Sequence, residues 1–310
     1  MKLYTVKIYP KYLREEKSLK GNINRIFRLR HYVMFFVLLI FILQFLGSKI
    51  LVGGLTGSVI FYKINMIDPF AFLEVLIATR SLTVVLALSF IAVVVIYLVF
   101  GRAFCGWVCP FDFIFKLIGQ LSPYAERKTS YAIRGNGLSN VKSGITRWSL
   151  VVIFVSLALV AEAPIFTRYI SHNTNLFRAV SSLSGIIKGM LYALDEFLFS
   201  ISVIIFFITF EFFFPRKWCR SFCPVGKIYG LFNKVSLIKL KFENSEMCKE
   251  CFACQIKCYM DVPLYEFILK AKGKNQAISG RFIDCIYCGE CVLACEKIQK
   301  GSPNIKISLK

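Results

Sequence analysis

The chain has 310 residues, 56% of them hydrophobic, with 31 phenylalanines and a mean hydropathy of +0.62. That excludes an ordinary soluble domain of this length and points to a polytopic membrane protein with a small soluble part. The net charge of +21 does not read as a nucleic-acid footprint, because the basic residues flank apolar runs and no nucleic-acid motif accompanies them. All twelve cysteines fall in C-x2-C or C-x3-C groups, the pattern of metal or redox ligation in a reducing compartment rather than of disulfides.

Residues 1–31 are basic and polar, too long before the first apolar run for a signal peptide. Four runs are predicted as membrane helices: about 32–46 with an extension past Gly47, 82–100, 148–165 and 197–214. The second and fourth approach ~20 clean residues. The first and third are shorter and rest on the basic-aromatic anchors Arg30-His31-Tyr32 and Arg147-Trp148, with a soluble core segment as the alternative. Lys and Arg alternate between the intervening segments: 9 in 1–31, 3 in 47–81, 7 in 101–147, 3 in 166–196 and 17 in 215–310. The positive-inside rule then places both termini in the cytoplasm of a prokaryotic cell and turns 47–81 and 166–196 outward. Within 47–81, Asp68-Pro69 precedes an apolar run too short to span. It predicts an interfacial or re-entrant helix capped by Asp68.

Phe100 through Pro110 aligns with Phe214 through Pro224 at an offset of 114 residues, each copy ending in C-x3-C-P. The two halves therefore share one topology and relate by an axis along the membrane normal, as in parallel-repeat transporters. Cys105, Cys109, Cys219 and Cys223 should meet on one surface. Pro110 and Pro224 suit first helical positions, so Cys109 and Cys223 are predicted N-caps, where the helix dipole favours the thiolate. Arg102, Lys116, Arg216, Arg220 and Lys227 push the same way. A metal or cluster site, redox-active disulfide pairs, and a structural corner with reduced thiols all remain open for these four.

Near the C-terminus, Cys248, Cys251, Cys254 and Cys258, then Cys285, Cys288, Cys291 and Cys295, write C-x2-C-x2-C-x3-C twice. In two-cluster bacterial ferredoxins the fourth cysteine of each run ligates the other cluster. One [4Fe-4S] cluster is thus predicted on Cys248, Cys251, Cys254 and Cys295, the other on Cys285, Cys288, Cys291 and Cys258. Zinc is the alternative, but it takes four sulfurs as two separated pairs. Tyr259 and Glu296 stand where proline usually follows the fourth cysteine, so the pattern fixes the fourth ligands less firmly than the other six. With only His31 and His172 in the chain, facing axial ligands for a transmembrane haem are lacking. A membrane quinone or a partner subunit must complete the electron path.

The run Cys105-Gly106-Trp107-Val108-Cys109-Pro110, the run from Trp218-Cys219 to Cys223-Pro224-Val225-Gly226, Asp68-Pro69-Phe70, and the paired four-cysteine motifs after four apolar runs resemble the NapH-type membrane ferredoxins. The resemblance covers about residues 30–300. It implies cytoplasmic [4Fe-4S] clusters, quinol oxidation within a quinol dehydrogenase, and a periplasmic iron–sulfur partner of the NapG type. The same C-x3-C-P pairs occur in the C-terminal part of NosR-type regulators and in CcoG-type proteins linked to copper reduction. The sensor domain of the first and the C-terminal periplasmic domain of the second are not expected here.

The expected architecture is an α-helical polytopic membrane protein with four transmembrane helices as two parallel repeats. A basic cytoplasmic segment (1–31) leads into the membrane core (32–239), and a small α+β bacterial-type dicluster ferredoxin-like domain (240–310) follows. The expected role is an iron–sulfur electron-transfer subunit of the cytoplasmic membrane, in contact with lipid, quinone and a partner oxidoreductase. The alternatives are a metal-handling factor whose clusters reduce copper at Cys105, Cys109, Cys219 and Cys223, which soft thiolates permit, and a membrane anchor that docks a soluble oxidoreductase. Quinone-site candidates are the ionisable residues near span ends, Glu162 and Glu211, with Asp68 and Arg80 on the outer loop; headgroup-facing solvated carboxylates are the other account of the two glutamates.

Overall fold

A computed structural model describes residues 24–43, 51–53, 58–61, 64–123, 137–187, 189–190, 192–242, 248, 251, 253–264, 267–268, 278–299 and 304–309. Most of the basic N-terminal segment, the extension of the first run past Leu43 and the middle of the 101–147 segment lie outside the described residues. The chain is mostly helical, with two small antiparallel sheets.

Helix α1 (Asn24–Leu43) begins well before the first apolar run. A three-stranded meander follows, β1 (Leu51–Gly53), β2 (Ser58–Phe61) and β3 (Ile64–Ile67). Helix α2 (Pro69–Thr79) starts where Asp68-Pro69 predicts, the Asp68 carboxylate accepting from the amides of Phe70 at 2.8 Å and Ala71 at 3.2 Å. Helix α3 (Val84–Phe100) is capped by Thr83. The short α4 (Ala103–Trp107) then carries Cys105, and α5 (Pro110–Leu121) begins directly after Cys109.

The second half repeats this plan. Helix α6 (Gly137–Ala161) ends short of the predicted boundary, because Glu162 takes the left-handed conformation (φ +51°) and Pro164 follows. A π turn (Phe166–Ile170) leads into α7 (His172–Ile187), then α8 (Tyr192–Phe213). A second π turn (Trp218–Phe222) holds Cys219, and α9 (Pro224–Phe232) starts after Cys223. The α8 segment Ala193–Phe213 is the one described helix both long and apolar enough to cross a bilayer; Leu29–Ile40, Val84–Phe100 and Trp148–Ala161 are shorter apolar helices.

Both segments expected to face outward send a residue into the protein interior. Asp68 is buried and receives a hydrogen bond from the Tyr229 hydroxyl, so α2 begins inside the protein beside the second motif. His172 is likewise buried, its ring 4.6 Å from Phe111 and 5.9 Å from Phe115. Phe115 is the repeat counterpart of Tyr229, so each half sends a helix start against the aromatic residue of the other. Sequence misses α7 because its buried face is polar: Asn175 donates to the carbonyls of Tyr169 and Ser171. Inward-facing polar groups paired to backbone look like loop chemistry.

The tail folds around β4 (Ile238–Phe242), paired antiparallel with β5 (Ile278–Gly280) and β6 (Ile305–Leu309). Leu240 and Phe242 turn inward onto Met260, Val262, Ile286 and Ile305. The cysteine loops are carried by α10 (Ala253–Lys257) and α11 (Glu290–Gln299).

Candidate functional site

The tail thiols sort into two groups. Burial pushes Cys254 above the ordinary thiol range, and Cys295, Cys251 and Cys248 add to it through their charge. Cys291 is raised first by burial and then by Cys288, Cys258 and Cys285, with Cys254 the weakest neighbour. The backbone serves the sulfurs too. Tyr287 N donates to Cys285 Sγ and Val262 N to Cys258 Sγ, both at 3.4 Å. Cys258, last of the first run, thus sits among sulfurs of the second run, and Cys295 among those of the first. Among the described residues no three His, Cys, Asp or Glu side chains converge closely enough to share a single ion. The donors fit a cluster whose irons take one thiolate each. Because ligands must be thiolates, loading such buried thiols releases protons.

Cys105, Cys109, Cys219 and Cys223 all line one apolar cavity of about 50 Å³ between the repeats. Ser171, His172, Asn173 and Tyr229 share its wall. Asn173 faces the Cys109 sulfur at 3.6 Å. Cys109 and Cys223 occupy the N-cap positions as predicted, but at Cys109 a lowered pKa does not follow. Burial drives Cys105 up to about 12 and Cys109 up to about 11. Arg102 favours the Cys105 thiolate, and the amides of Phe111 and Asp112 favour that of Cys109, without outweighing desolvation. None of the twelve cysteines is in a disulfide in this fold.

The tail sits directly on this cavity. Met260 and Ile286 line both it and the space walled by Cys258, Cys285, Cys288 and Cys291. A Cβ on Gly106 would collide with the Ile286 carbonyl, which is why glycine stands between the first motif's cysteines. Asn233, at the end of α9, accepts from Arg102 N at 2.6 Å and donates to the carbonyls of Phe282 at 2.8 Å and Cys285 at 2.7 Å. Arg102 is 1% exposed and reaches Asp284 at 3.3 Å and the Cys219 carbonyl at 3.2 Å. One guanidinium therefore touches the first motif, the second motif and the tail.

A buried ionic group completes the dock. Asp112 pairs with Arg30 of α1 and with Arg216 at 2.8 Å, and Tyr259 OH lies 3.2 Å from the same carboxylate. Arg30 Nη2 donates to Tyr259 OH at 3.0 Å, and Glu290 joins through Arg30 at 3.8 Å while also pairing with Lys116 at 2.6 Å. Tyr259 thus stands where proline was expected because its side chain is part of this contact.

The four predicted quinone residues do not come together. Glu211 is fully buried and accepts from Arg216 N, Glu162 is exposed at the end of α6, Arg80 is the exposed left-handed cap of α2, and Asp68 is its buried N-cap. A different feature has the form of an amphiphile site. A groove of about 890 Å³ runs from Ile96 and Phe100 at the end of α3 to Cys288 and Gly289 in the tail, passing Trp107. Trp107 Nε1 donates to the Tyr287 carbonyl at 2.9 Å. No single motif marks this groove, since it joins Trp107 and Val108 of the first C-x3-C-P motif to Cys288, Gly289, Glu296 and Lys306 of the tail.

A family model described as a 4Fe-4S binding domain matches residues 82–128 and 196–243, two copies at the offset that relates the two C-x3-C-P motifs. The protein MJ0750 of Methanocaldococcus jannaschii is 31% identical over 207 residues, covering 67% of this chain and 74% of its own. The ferredoxin-type protein NapH of Escherichia coli K12 is 27% identical over 87% of this chain and 86% of its own. The methylamine utilization ferredoxin-type protein MauN of Methylorubrum extorquens is 29% identical over 76% and 74%. No solved structure matches. Cysteine sets of this kind, on this repeat, define an iron–sulfur electron-transfer protein of the ferredoxin type. The chain belongs to the NapH-type ferredoxin family.

Proposed function

We propose that the chain is a membrane subunit that exchanges electrons between the quinone pool and a partner oxidoreductase, for which the family resemblance implies a NapG-type iron–sulfur subunit. Two [4Fe-4S] clusters would be held by Cys248, Cys251, Cys254 and Cys295 and by Cys285, Cys288, Cys291 and Cys258, supplying one-electron carriers. The observation that carries the reading is the groove, which joins the outward apolar end of α3 to Cys288. Its volume and apolar walls suit a quinol with its headgroup toward the tail and its isoprenoid chain toward lipid. Trp107 and Tyr97 offer aromatic faces there. Phe35, Phe36, Leu88, Ile91, Val152 and Phe206 point outward from their four helices, an apolar surface that favours four spans in a bilayer. The charge alternation favours cytoplasmic termini and a cytoplasmic tail.

The test uses the full chain in liposomes with a quinol. The iron–sulfur absorbance should bleach on quinol addition, and Val292→Trp, which narrows the groove, should abolish that while leaving reduction by dithionite intact. Clusters that respond to dithionite but never to quinol would exclude the reading.

A further inference from the structure

We propose that Cys105, Cys109, Cys219 and Cys223 together hold a third [4Fe-4S] cluster, built between the two repeats. This deepens the proposed function, on which it rests for its role as a relay. Each repeat supplies two thiols and neither is sufficient alone; an all-cysteine cluster takes four. The fold brings the two pairs to one wall, where each thiol lies in the field of its neighbours: Cys105 with Cys109 and Cys223, Cys219 with Cys223 and Cys109.

All four thiols line one cavity of about 50 Å³.

The charge around the cavity suits an anion. Arg102 and Arg216 occupy equivalent repeat positions, both buried, the first favouring the Cys105 thiolate and the second that of Cys219. Arg102, on the cavity wall, hydrogen-bonds the Cys105 side chain as well as pairing with Asp284 at 3.3 Å. Four thiolates around an iron–sulfur core supply the matching negative charge. The shared Met260 and Ile286 wall then sets this cluster next to the second tail set, on the path toward the membrane core.

Iron and acid-labile sulfide are to be counted on the full-length protein purified without oxygen. About twelve of each per chain are expected. Cys109→Ser and Cys223→Ser should each lower the count to about eight while the tail's reduced-state paramagnetic signals persist, and those surviving signals report that the variant has folded. Cys254→Ser should lose a tail signal and keep the one that Cys109→Ser removes. Eight irons in the unaltered protein, unchanged by Cys109→Ser, overturns the proposal, as does copper or zinc bound one per chain and lost with Cys223→Ser. Twelve irons without reduction by quinol leaves the cluster standing and removes the quinol reading; eight irons with quinol-reducible signals does the reverse.

Discussion

The Arg216 guanidinium lies 4.2 Å from the centre of the Tyr259 ring, with both side chains also bonded to Asp112. The residue that replaces the usual proline after a fourth cysteine therefore fastens the tail to the second repeat. Tyr259→Phe keeps the ring and loses the hydroxyl bonds, at about 1 kcal/mol. Tyr259→Ala also loses the cation–π contact and leaves a void, at about 3 kcal/mol or more. Thermal unfolding of the cluster-loaded protein should separate the two; equal losses would mean the ring contributes nothing.

Asp112 answers two arginines at once, Arg30 and Arg216. Asp112→Ala leaves both guanidiniums buried without it, and removing one partner of a buried pair costs roughly 3–5 kcal/mol. Arg30→Met combined with Asp112→Ala should recover part of that loss. A double variant no more stable than the single one in the same unfolding assay would show that the charge imbalance is not the cause.

Asp68 supplies a pH dependence. Burial, with a smaller push from Glu74, raises its carboxyl from 3.8 to about 7, against the amides of Phe70 and Ala71 that pull it down. The folded protein keeps a proton that the unfolded chain has released, so stability falls as pH rises from about 4 to about 7 and levels off above. Asp68→Asn should flatten that slope in unfolding curves taken across the range. An unchanged slope would assign it to another group.

Two glycines should respond oppositely. A Cβ on Gly106 runs into the Ile286 carbonyl, whereas one on Gly119, within α5, meets only Pro215 at 3.9 Å. Gly106→Ala should loosen the tail, seen as faster proteolysis after residue 242 with the helical core intact. Gly119→Ala should be neutral or stabilising by up to about 1 kcal/mol. Equal proteolysis rates for Gly106→Ala and the unaltered chain would show that the tail does not depend on that close approach.

The repeat was legible in the sequence because C-x3-C-P recurs within two otherwise matching frames, and the helix start at Pro69 because its cap is local. Asp68 and His172 were placed on outward loops because hydropathy counts apolar residues and cannot see a polar face satisfied by backbone, as with Asn175. The thiolate expected at Cys109 fails for a similar reason. Helix dipole and nearby arginines are readable from the chain, but the desolvation that outweighs them at Cys109 belongs to the packed fold. Ionisable residues drew attention to Glu211, whose carboxylate closes the turn at Arg216. The groove beside Cys288 was not legible, because it forms only where Trp107 of the first motif meets the tail residues Cys288, Gly289 and Glu296.

Arg30 emerges from the ribosome long before the partners that enclose it: the Tyr259 hydroxyl it bonds is 229 positions later, and Glu290 is later still. The first helix must therefore form with its guanidinium still hydrated, and the charge is sequestered only when the final quarter of the chain arrives. Folding has a fixed order on this account. The tail is the last piece seated, and it closes over a frame already built.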